Sequence, residues 1–295
     1  MQDGVVILRA LLVWLAIAVL AVANGGFREG VLKPKLGDRI AHVLSTLILS
    51  AIVFVVAFLS RAWIGIETLE QGWMLGFAWV AMTLGFEFLA GHFVFGNPWE
   101  KILADYRVDR GRIWLLVPIC TLFAPPMAVK GIPSLYAIPY TISLVIATVM
   151  LLVAYLRPQE ARWVLFTLFA YASIYNTWLG LTHPHEYQGF AEWVIVPWYR
   201  DVITGPFHAH EGFYIVAIAA GQGITALAWA LGGRSLLVGA LGTTVFLACI
   251  APLGVGSAFP FSALVIVCGW VLWGSLRDCS RTGSHLSQTP SVYKA

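Results

Sequence analysis

Residues 135–156 read LYAIPYTISLVIATVMLLVAYL, and none of these 22 side chains carries a charge. An α-helix rises about 1.5 Å per residue, so a run of this length covers the hydrocarbon core of a bilayer, which is about 30 Å thick. Large apolar side chains fall on every side of such a helix, as lipid requires and water does not. The stretch therefore predicts a helix that crosses a membrane.

Eight more apolar runs of similar length occur before and after this stretch. An open strand cannot cross lipid with its backbone groups unpaired, and the runs lack the alternation of barrel strands. The sequence therefore predicts an all-α membrane protein with about nine transmembrane helices. The predicted spans are residues 5–24, 40–60, 72–95, 113–130, 135–156, 163–182, 207–231, 235–253 and 258–276.

The composition of the chain supports this fold class. It is 59% hydrophobic and 11% charged, with a mean hydropathy of +0.81, whereas a soluble domain has about 25% charged residues. The net charge is only +3, and no basic stripe alternates with aromatic residues outside the apolar runs. We therefore expect the lipid bilayer, and no nucleic acid, as a partner.

Cysteine usage excludes two kinds of site. Cys120, Cys249 and Cys268 fall inside apolar runs, Cys279 lies near the C-terminus, and no C-x-x-C pattern occurs. Neither a disulfide framework nor a thioredoxin-like site is expected. No serine or cysteine nucleophile stands near a histidine base, which argues against a hydrolase of that type.

The basic residues predict how the chain is oriented. We call the side on which the first span ends face X, and the opposite side face Y. Loops on face X hold 14 of the 18 Lys and Arg residues, so the positive-inside rule places face X in the cytosol of a bacterial inner membrane. The N-terminus is then outside and the C-terminus inside. A competing hypothesis treats residues 1–23 as a cleaved signal peptide, but it would leave the basic segment 25–39 outside.

The predicted spans fall into two halves. Residues 1–132 form an N-terminal four-helix unit, residues 133–160 a linking transmembrane helix, residues 161–277 a second four-helix unit, and residues 278–295 a polar cytoplasmic tail. The two units enter the membrane from opposite sides, as in transporters with inverted repeats. No convincing sequence identity relates them.

Polar residues at the face-X ends of the second and third spans form a candidate site. It comprises Arg28, Glu29, His42, Glu87 and His92. Glu87 lies about 7–8 Å deeper than His92 at the rise of a helix, and an ionisable group at that depth usually faces a partner or water. The cluster indicates a pocket for a small ligand or a proton. The alternative is that these groups pair with one another and fix helix packing. A haem held by the two histidines is disfavoured, because it would be exposed.

Histidines on face Y form a second candidate site. Two His-x-His-Glu stretches enclose one loop, and imidazole with carboxylate groups suits Zn²⁺ or Cu²⁺. The spacing itself is not that of a known metal motif, so the alternative is a set of interfacial, pH-sensitive histidines. The residues concerned are His183, His185, Glu186, His208, His210 and Glu211.

Two loops each contain a predicted amphipathic helix lying in the membrane interface. The first begins on face X with Asn97 as its N-cap and Pro98 as its first helical residue, and Ile102 is among the side chains expected to face lipid. The second covers residues 187–204 on face Y, and Pro197 is expected to kink it.

Both halves resemble known membrane proteins. Residues 162–276 resemble the DoxX-like group of four-helix membrane proteins through YQGFAEWVIVPWYRD (187–201) and IAPLGVGSAFP (250–260). The first half resembles a group of uncharacterised bacterial membrane proteins through ANGGFRE (23–29) and FEFLAGHFVFG (86–96). Some DoxX-like proteins are linked to sulfur and quinone redox chemistry, so this resemblance implies a quinone as a candidate cofactor.

Three functions remain open at this point. The DoxX-like resemblance favours an accessory subunit of a quinone-linked membrane redox system, with other membrane subunits as partners. Glu87 within a span and the arrangement of the halves favour a transporter or channel for a small solute or ion. A membrane scaffold or assembly factor would need no chemistry.

Overall fold

Helices follow the apolar runs throughout the described part of the chain. The computed structural model describes the backbone of residues 2–257 and 259–286, and the side chains of residues 4–255 and 259–277. Within these residues the secondary structure is helical, with no strand. Residues 287–295 of the predicted tail lie outside the described residues, as does the side chain of Cys279.

Eleven α-helices are described, and shorter π and 3₁₀ segments join several of them. The α-helices are α1 Gln2–Phe27, α2 Lys33–Ile64, α3 Leu69–Gly85, α4 Trp99–Ala104, α5 Leu116–Lys130, α6 Ser134–Leu156, α7 Pro158–Thr182, α8 Pro197–Val202, α9 Glu211–Leu231, α10 Leu236–Ile250 and α11 Phe261–Leu286. The π segments are Arg28–Leu32, Phe86–Val94 and Ile203–Phe207. The 3₁₀ segments are Val108–Arg110, Pro184–Glu192, Gly233–Ser235 and Ala251–Ser257.

Six helical stretches in the described residues are long and apolar enough to cross a membrane. They are Gly4–Ile64, Leu69–Val94, Ser134–Leu156, Pro158–Thr182, Glu211–Leu231 and Gly233–Val255. Two shorter helices, Leu116–Lys130 and Phe261–Arg277, are also apolar. The chain is thus a helical protein with several candidate spans, and the count of nine stays a prediction.

The first stretch is folded back on itself. Asn24 Nδ2 donates to the carbonyl of Ser45 at 2.9 Å, and Arg9 Nη1 donates to the carbonyl of Trp63 at 2.8 Å. These pairs make α1 and α2 antiparallel neighbours. The reversal includes Gly37, whose φ of 77° and ψ of 162° are open to glycine.

Loops that the sequence assigns to face X lie together at one end of the bundle. Arg112 Nη2 is 3.0 Å from Asp38 Oδ2, and the Tyr155 hydroxyl donates to the carbonyl of Gly111 at 2.7 Å. Arg277 lies 3.8 Å from Asp109.

Loops assigned to face Y meet at the other end. Trp73 Nε1 donates to the carbonyl of Ile195 at 2.7 Å, and the Ile195 amide donates to Pro252 at 3.0 Å. The Tyr136 ring at the start of α6 packs on Trp193. Tyr136 and Tyr155 lie near opposite ends of α6, so this helix connects the two ends of the bundle.

Close packing of α3 on α5 depends on two glycines in a G-x-x-x-G arrangement. A Cβ atom on Gly72 would lie 2.8 Å from Pro126 Cα, and one on Gly76 would overlap the carbonyl of Leu122. Small residues of this kind let two helix backbones approach closely in lipid. The first-half bundle is therefore held by backbone contact and by packing around buried Trp79.

The predicted amphipathic helix over residues 187–204 is wrong as a continuous element. It consists of the 3₁₀ segment Pro184–Glu192 and the short helix α8, separated by residues in which Val194 and Ile195 are buried. Val196 is extended, with φ −111° and ψ 105°, because a residue before proline disfavours the helical conformation. The break also frees the Ile195 backbone groups to pair with other segments.

The face-X interfacial helix forms, with two differences from its prediction. Pro98 takes the N-cap position of α4 without a side-chain cap, and Asn97 Oδ1 instead accepts from Lys101 Nζ at 2.8 Å. Ile102 is 6% exposed and faces the Gly91 backbone, not lipid. The helix thus packs its apolar side on the end of the third span.

Candidate functional site

A cavity of 540 Å³ opens at face X between α1, the π segment Phe86–Val94 and the loop that carries α4. Its volume is in the range of small-molecule pockets. The lining residues include Arg28 and Glu29 at the end of α1, Glu87 of the π segment, and Asp105 and Trp114 of the following loop. We call this space the face-X cavity.

The π segment places Glu87 at the cavity wall. It continues α3 directly and spans nine residues, an unusual length for a π-helix. Inserted π turns are found frequently at functional sites. The Tyr106 hydroxyl donates to Glu87 Oε2 at 2.6 Å, so the carboxyl of a candidate span is held by a residue from an interfacial loop.

Trp114 adds a hydrogen-bond donor beside this pair. Its indole N–H interacts with both Glu87 and Tyr106 but has no well-formed hydrogen bond, although the Nε1 atom is buried. Buried donors in proteins are nearly always paired. Trp114 therefore helps Tyr106 to fix the position of the Glu87 carboxyl at the cavity wall.

The loop residues beside Glu87 have shifted ionisation. Burial, together with the hydrogen bond to Glu87, raises the pKa of the Tyr106 phenol well above its usual range, so Tyr106 remains a donor at neutral pH. Burial also raises the pKa of Asp105, although Arg112 lies 3.9 Å away and opposes the shift. Tyr106 therefore serves as a hydrogen-bond donor to Glu87, and burial favours the protonated form of Asp105, which lines the cavity.

Ion pairs form the mouth of the cavity. Glu29 accepts from Arg28 Nε at 3.2 Å and from Lys33 Nζ at 2.9 Å. Lys101 lines the cavity from α4. These side chains are largely exposed and contribute little to stability, but they place positive charge where the headgroup of a ligand would lie.

The deeper wall of the cavity is apolar. Ile17 and Val22 of α1, Val53 of α2 and Val117 of α5 line it. Trp14 Nε1 donates to Thr83 Oγ1 at 3.1 Å and thereby connects α1 to α3. The cavity joins this apolar wall to a charged mouth, so it suits an amphipathic molecule.

Of the five residues in the predicted face-X cluster, three line the cavity: Arg28, Glu29 and Glu87. His42 is 1% exposed, and its Nε2 accepts from the Ile113 amide at 3.2 Å. His92 stacks on Trp99 at 4.1 Å, and its Nδ1 lies 2.9 Å from the carbonyl of Asn97. The two histidines hold the loops that border the cavity and are not among its lining residues.

Of the six predicted face-Y residues, three come together: His185, His208 and Glu211. His183 instead pairs with Thr182 Oγ1 at 2.8 Å and lies against Trp178. His210 is exposed at the residue before α9, and Glu186 lines a separate pocket beside Tyr136 and Trp193.

Sequence reasoning missed several residues of both sites. Asp105 and Trp114 line the face-X cavity, and Tyr106 reaches Glu87, only because their loop folds back under the π segment. Gln188 contacts Glu211 from a 3₁₀ segment 23 residues away. The sequence signal for the face-X residues was the polar pair Asp105-Tyr106 directly after the predicted interfacial helix.

Two other cavities carry fewer polar groups. One of 500 Å³ lies between α2, α5, α6 and α11, and its lining is almost entirely apolar. The other, of 330 Å³, lies beside α9 and contains the buried Gln222, whose Nε2 has no hydrogen bond. Neither has charged lining residues, which the face-X cavity has.

Comparison with known proteins adds no assignment to this geometry. No family model matches the chain, no curated protein matches it, and no solved structure matches it.

Proposed function

We propose that this chain is a multi-pass membrane protein that binds a quinone-class ligand in the face-X cavity, as an accessory subunit of a membrane redox system. The observation that carries the proposal is the cavity itself. An apolar wall within the bundle meets the Trp114 side chain and the Glu87 carboxyl, which accepts a hydrogen bond from the Tyr106 hydroxyl. A quinone has a long apolar tail and a head with two carbonyl oxygens, and it takes up protons when it is reduced.

The polar groups suit the head of such a ligand in charge and in hydrogen bonding. The Glu87 carboxyl lies at the cavity wall, where it can donate a hydrogen bond to a carbonyl oxygen when it is protonated. Glu87 is an ionisable group within a candidate span, where a charge is costly without a role or a partner. Its place beside the cavity would let it exchange a proton with the bound head.

The DoxX-like resemblance of residues 162–276 forms part of the same proposal, as does a fold of nine membrane crossings with face X in the cytosol of a bacterial inner membrane. The loops contact one another in two groups, one at each end of the bundle. This grouping supports the crossings, because each long apolar helix then runs from one end of the bundle to the other. The excess of basic residues on face X supports the sidedness.

Binding of a short-tailed quinone to the purified full chain in lipid nanodiscs, measured by calorimetry, tests the proposal. Trp114→Phe removes the N–H that helps to position the Glu87 carboxyl and keeps most of the ring, so it should weaken binding by about 5- to 10-fold, the value of one hydrogen bond. Trp163→Phe is the control, since Trp163 lies on α7, 48% exposed. Saturable binding that Trp114→Phe leaves unchanged would contradict the proposed site.

A proton or ion carrier is the second candidate, and the position of Glu87 within the stretch Leu69–Val94 favours it. Proteoliposomes with an imposed pH gradient separate the two functions. Proton uptake that needs no quinone and is abolished by Glu87→Gln, but not by Glu70→Gln at the other end of α3, would replace the redox proposal with transport.

A further inference from the structure

Three metal-ligating atoms come together on face Y, at the opposite end of the bundle from the cavity. They are a ring nitrogen of His185, a ring nitrogen of His208 and a carboxylate oxygen of Glu211, and all lie within 4.8 Å of one another. Two imidazoles and one carboxylate form a common ligand set for Zn²⁺ and other divalent transition metals.

The local fold brings these residues together from two segments. His185 lies on the 3₁₀ segment Pro184–Glu192, which follows α7. His208 and Glu211 lie on either side of the turn that starts α9, three residues apart. The cluster therefore joins the segment after α7 to the start of α9.

Glu211 supplies an observation independent of the cluster. Its side chain is only 5% exposed. Oε2 accepts from Gln188 Nε2 at 2.9 Å and from His208 Nδ1 at 3.2 Å. Oε1 contacts His185 Nδ1 but makes no hydrogen bond and is buried. A buried carboxylate oxygen without a hydrogen bond is costly, and a cation between it and the imidazoles would remove that cost.

We propose that His185, His208 and Glu211 bind one divalent transition-metal ion of the Zn²⁺ class. Gln188 acts as a positioning residue, because its amide fixes the carboxylate through Oε2. The imidazoles are 81% and 54% exposed, so a fourth position stays open to water or to another ligand. Three protein ligands with an open position distinguish this site from closed structural zinc sites.

Titration of Zn²⁺ into the full-length protein tests the proposal. The protein is purified in detergent, stripped with a chelator, and titrated against a competing zinc indicator. We expect one equivalent of Zn²⁺ to bind. Gln188→Ala should weaken binding by about 10- to 100-fold, as the loss of an outer-shell partner does. His185→Ala, His208→Ala and Glu211→Gln should each weaken it further.

His183→Ala and His210→Ala are matched controls, since both histidines neighbour the site and neither belongs to the cluster. Each control should leave the zinc affinity within about twofold of that of the unaltered protein, a much smaller change than the loss expected for Gln188→Ala. Equal losses in these controls, or the absence of a zinc equivalent from the unaltered protein, would overturn the site and leave a His–Glu ion pair in its place.

Thermal unfolding in the presence and absence of Zn²⁺ provides a second readout. The ion should raise the Tm of the unaltered protein and of the two controls, because it binds the folded state, and should not raise that of His185→Ala. The His185 side chain is exposed, so His185→Ala should fold even if the change at buried Glu211 prevents Glu211→Gln from folding. An equal Tm rise in His185→Ala would contradict the proposal. Quinone binding on face X is independent of either result.

Discussion

At the scale of single residues, Glu87 decides the interpretation of the face-X cavity. A carboxyl in an apolar stretch could be identified from the sequence, because ionisable side chains are rare and costly there. Its partner Tyr106 could not, since the pairing depends on how the interfacial loop folds back. The same limit applied to face Y, where six candidates were evident but only the fold separates His185, His208 and Glu211 from the rest.

Tyr106→Phe should destabilise the protein and weaken quinone binding together. The change removes the hydroxyl that donates to Glu87 Oε2 and leaves the ring stacked on Phe88. A typical intramolecular hydrogen bond contributes about 0.5–1.5 kcal/mol. Thermal unfolding in detergent measures the loss, and Tyr171→Phe on the exposed side of α7 is the control. An unchanged Tm would mean that the Tyr106–Glu87 bond carries no stability.

Asp105→Asn should raise stability at neutral pH and have little effect in acid. Burial raises the pKa of Asp105 in the folded protein, so folding favours the protonated form. The folded state is therefore penalised once the pH exceeds the ordinary range of an aspartate, and the penalty disappears as the pH falls below it. Tm values measured across this pH range for both proteins test the sign. A variant that loses stability at neutral pH would show that the Arg112 contact dominates.

At the scale of elements, length and composition predicted the long helices well. Each predicted span overlaps a described helix, because an apolar run in lipid has no alternative to internal hydrogen bonding. The short polar segments were harder to predict. Residues 187–204 break before Pro197, because the residue that precedes a proline disfavours the helical conformation. Ile102 is buried, because its contact with the end of the third span overrides the amphipathic pattern.

Gly76→Leu should loosen the packing of α3 on α5. A Cβ there would overlap the Leu122 carbonyl, and overpacking of this kind costs about 1–3 kcal/mol. Gly85→Leu in the same helix is the matched control, since a Cβ at Gly85 meets nothing within 4 Å. Thermal unfolding of the two variants in detergent makes the comparison. Equal stability of both would argue against close backbone packing at Gly76.

At the scale of the whole molecule, the two ends of the bundle have different chemistry. Face X has most of the basic residues and the cavity that we propose binds a quinone, and face Y has the histidine cluster. The alternation of loops between faces followed from the apolar runs and from the count of basic residues. The packing of the two halves did not, because it depends on contacts such as Trp73 with Ile195.

Single cysteines introduced at the two ends test the sidedness. In a background without the four native cysteines, Arg110→Cys should react with a membrane-impermeant maleimide only after the cells are opened. His210→Cys should react in intact cells, because it lies on face Y. The reverse pattern would place the quinone cavity on the outer side of the membrane.

The most direct test of the account is the position at which a photoreactive azidoquinone labels the full-length protein in nanodiscs, with unlabelled quinone as competitor. The account predicts competed labelling in peptides that cover residues 14–29 and 83–105, which contain most of the residues that line the face-X cavity. Competed labelling confined to residues 187–253, around the cavity that contains Gln222, would contradict it, as would labelling that unlabelled quinone does not reduce.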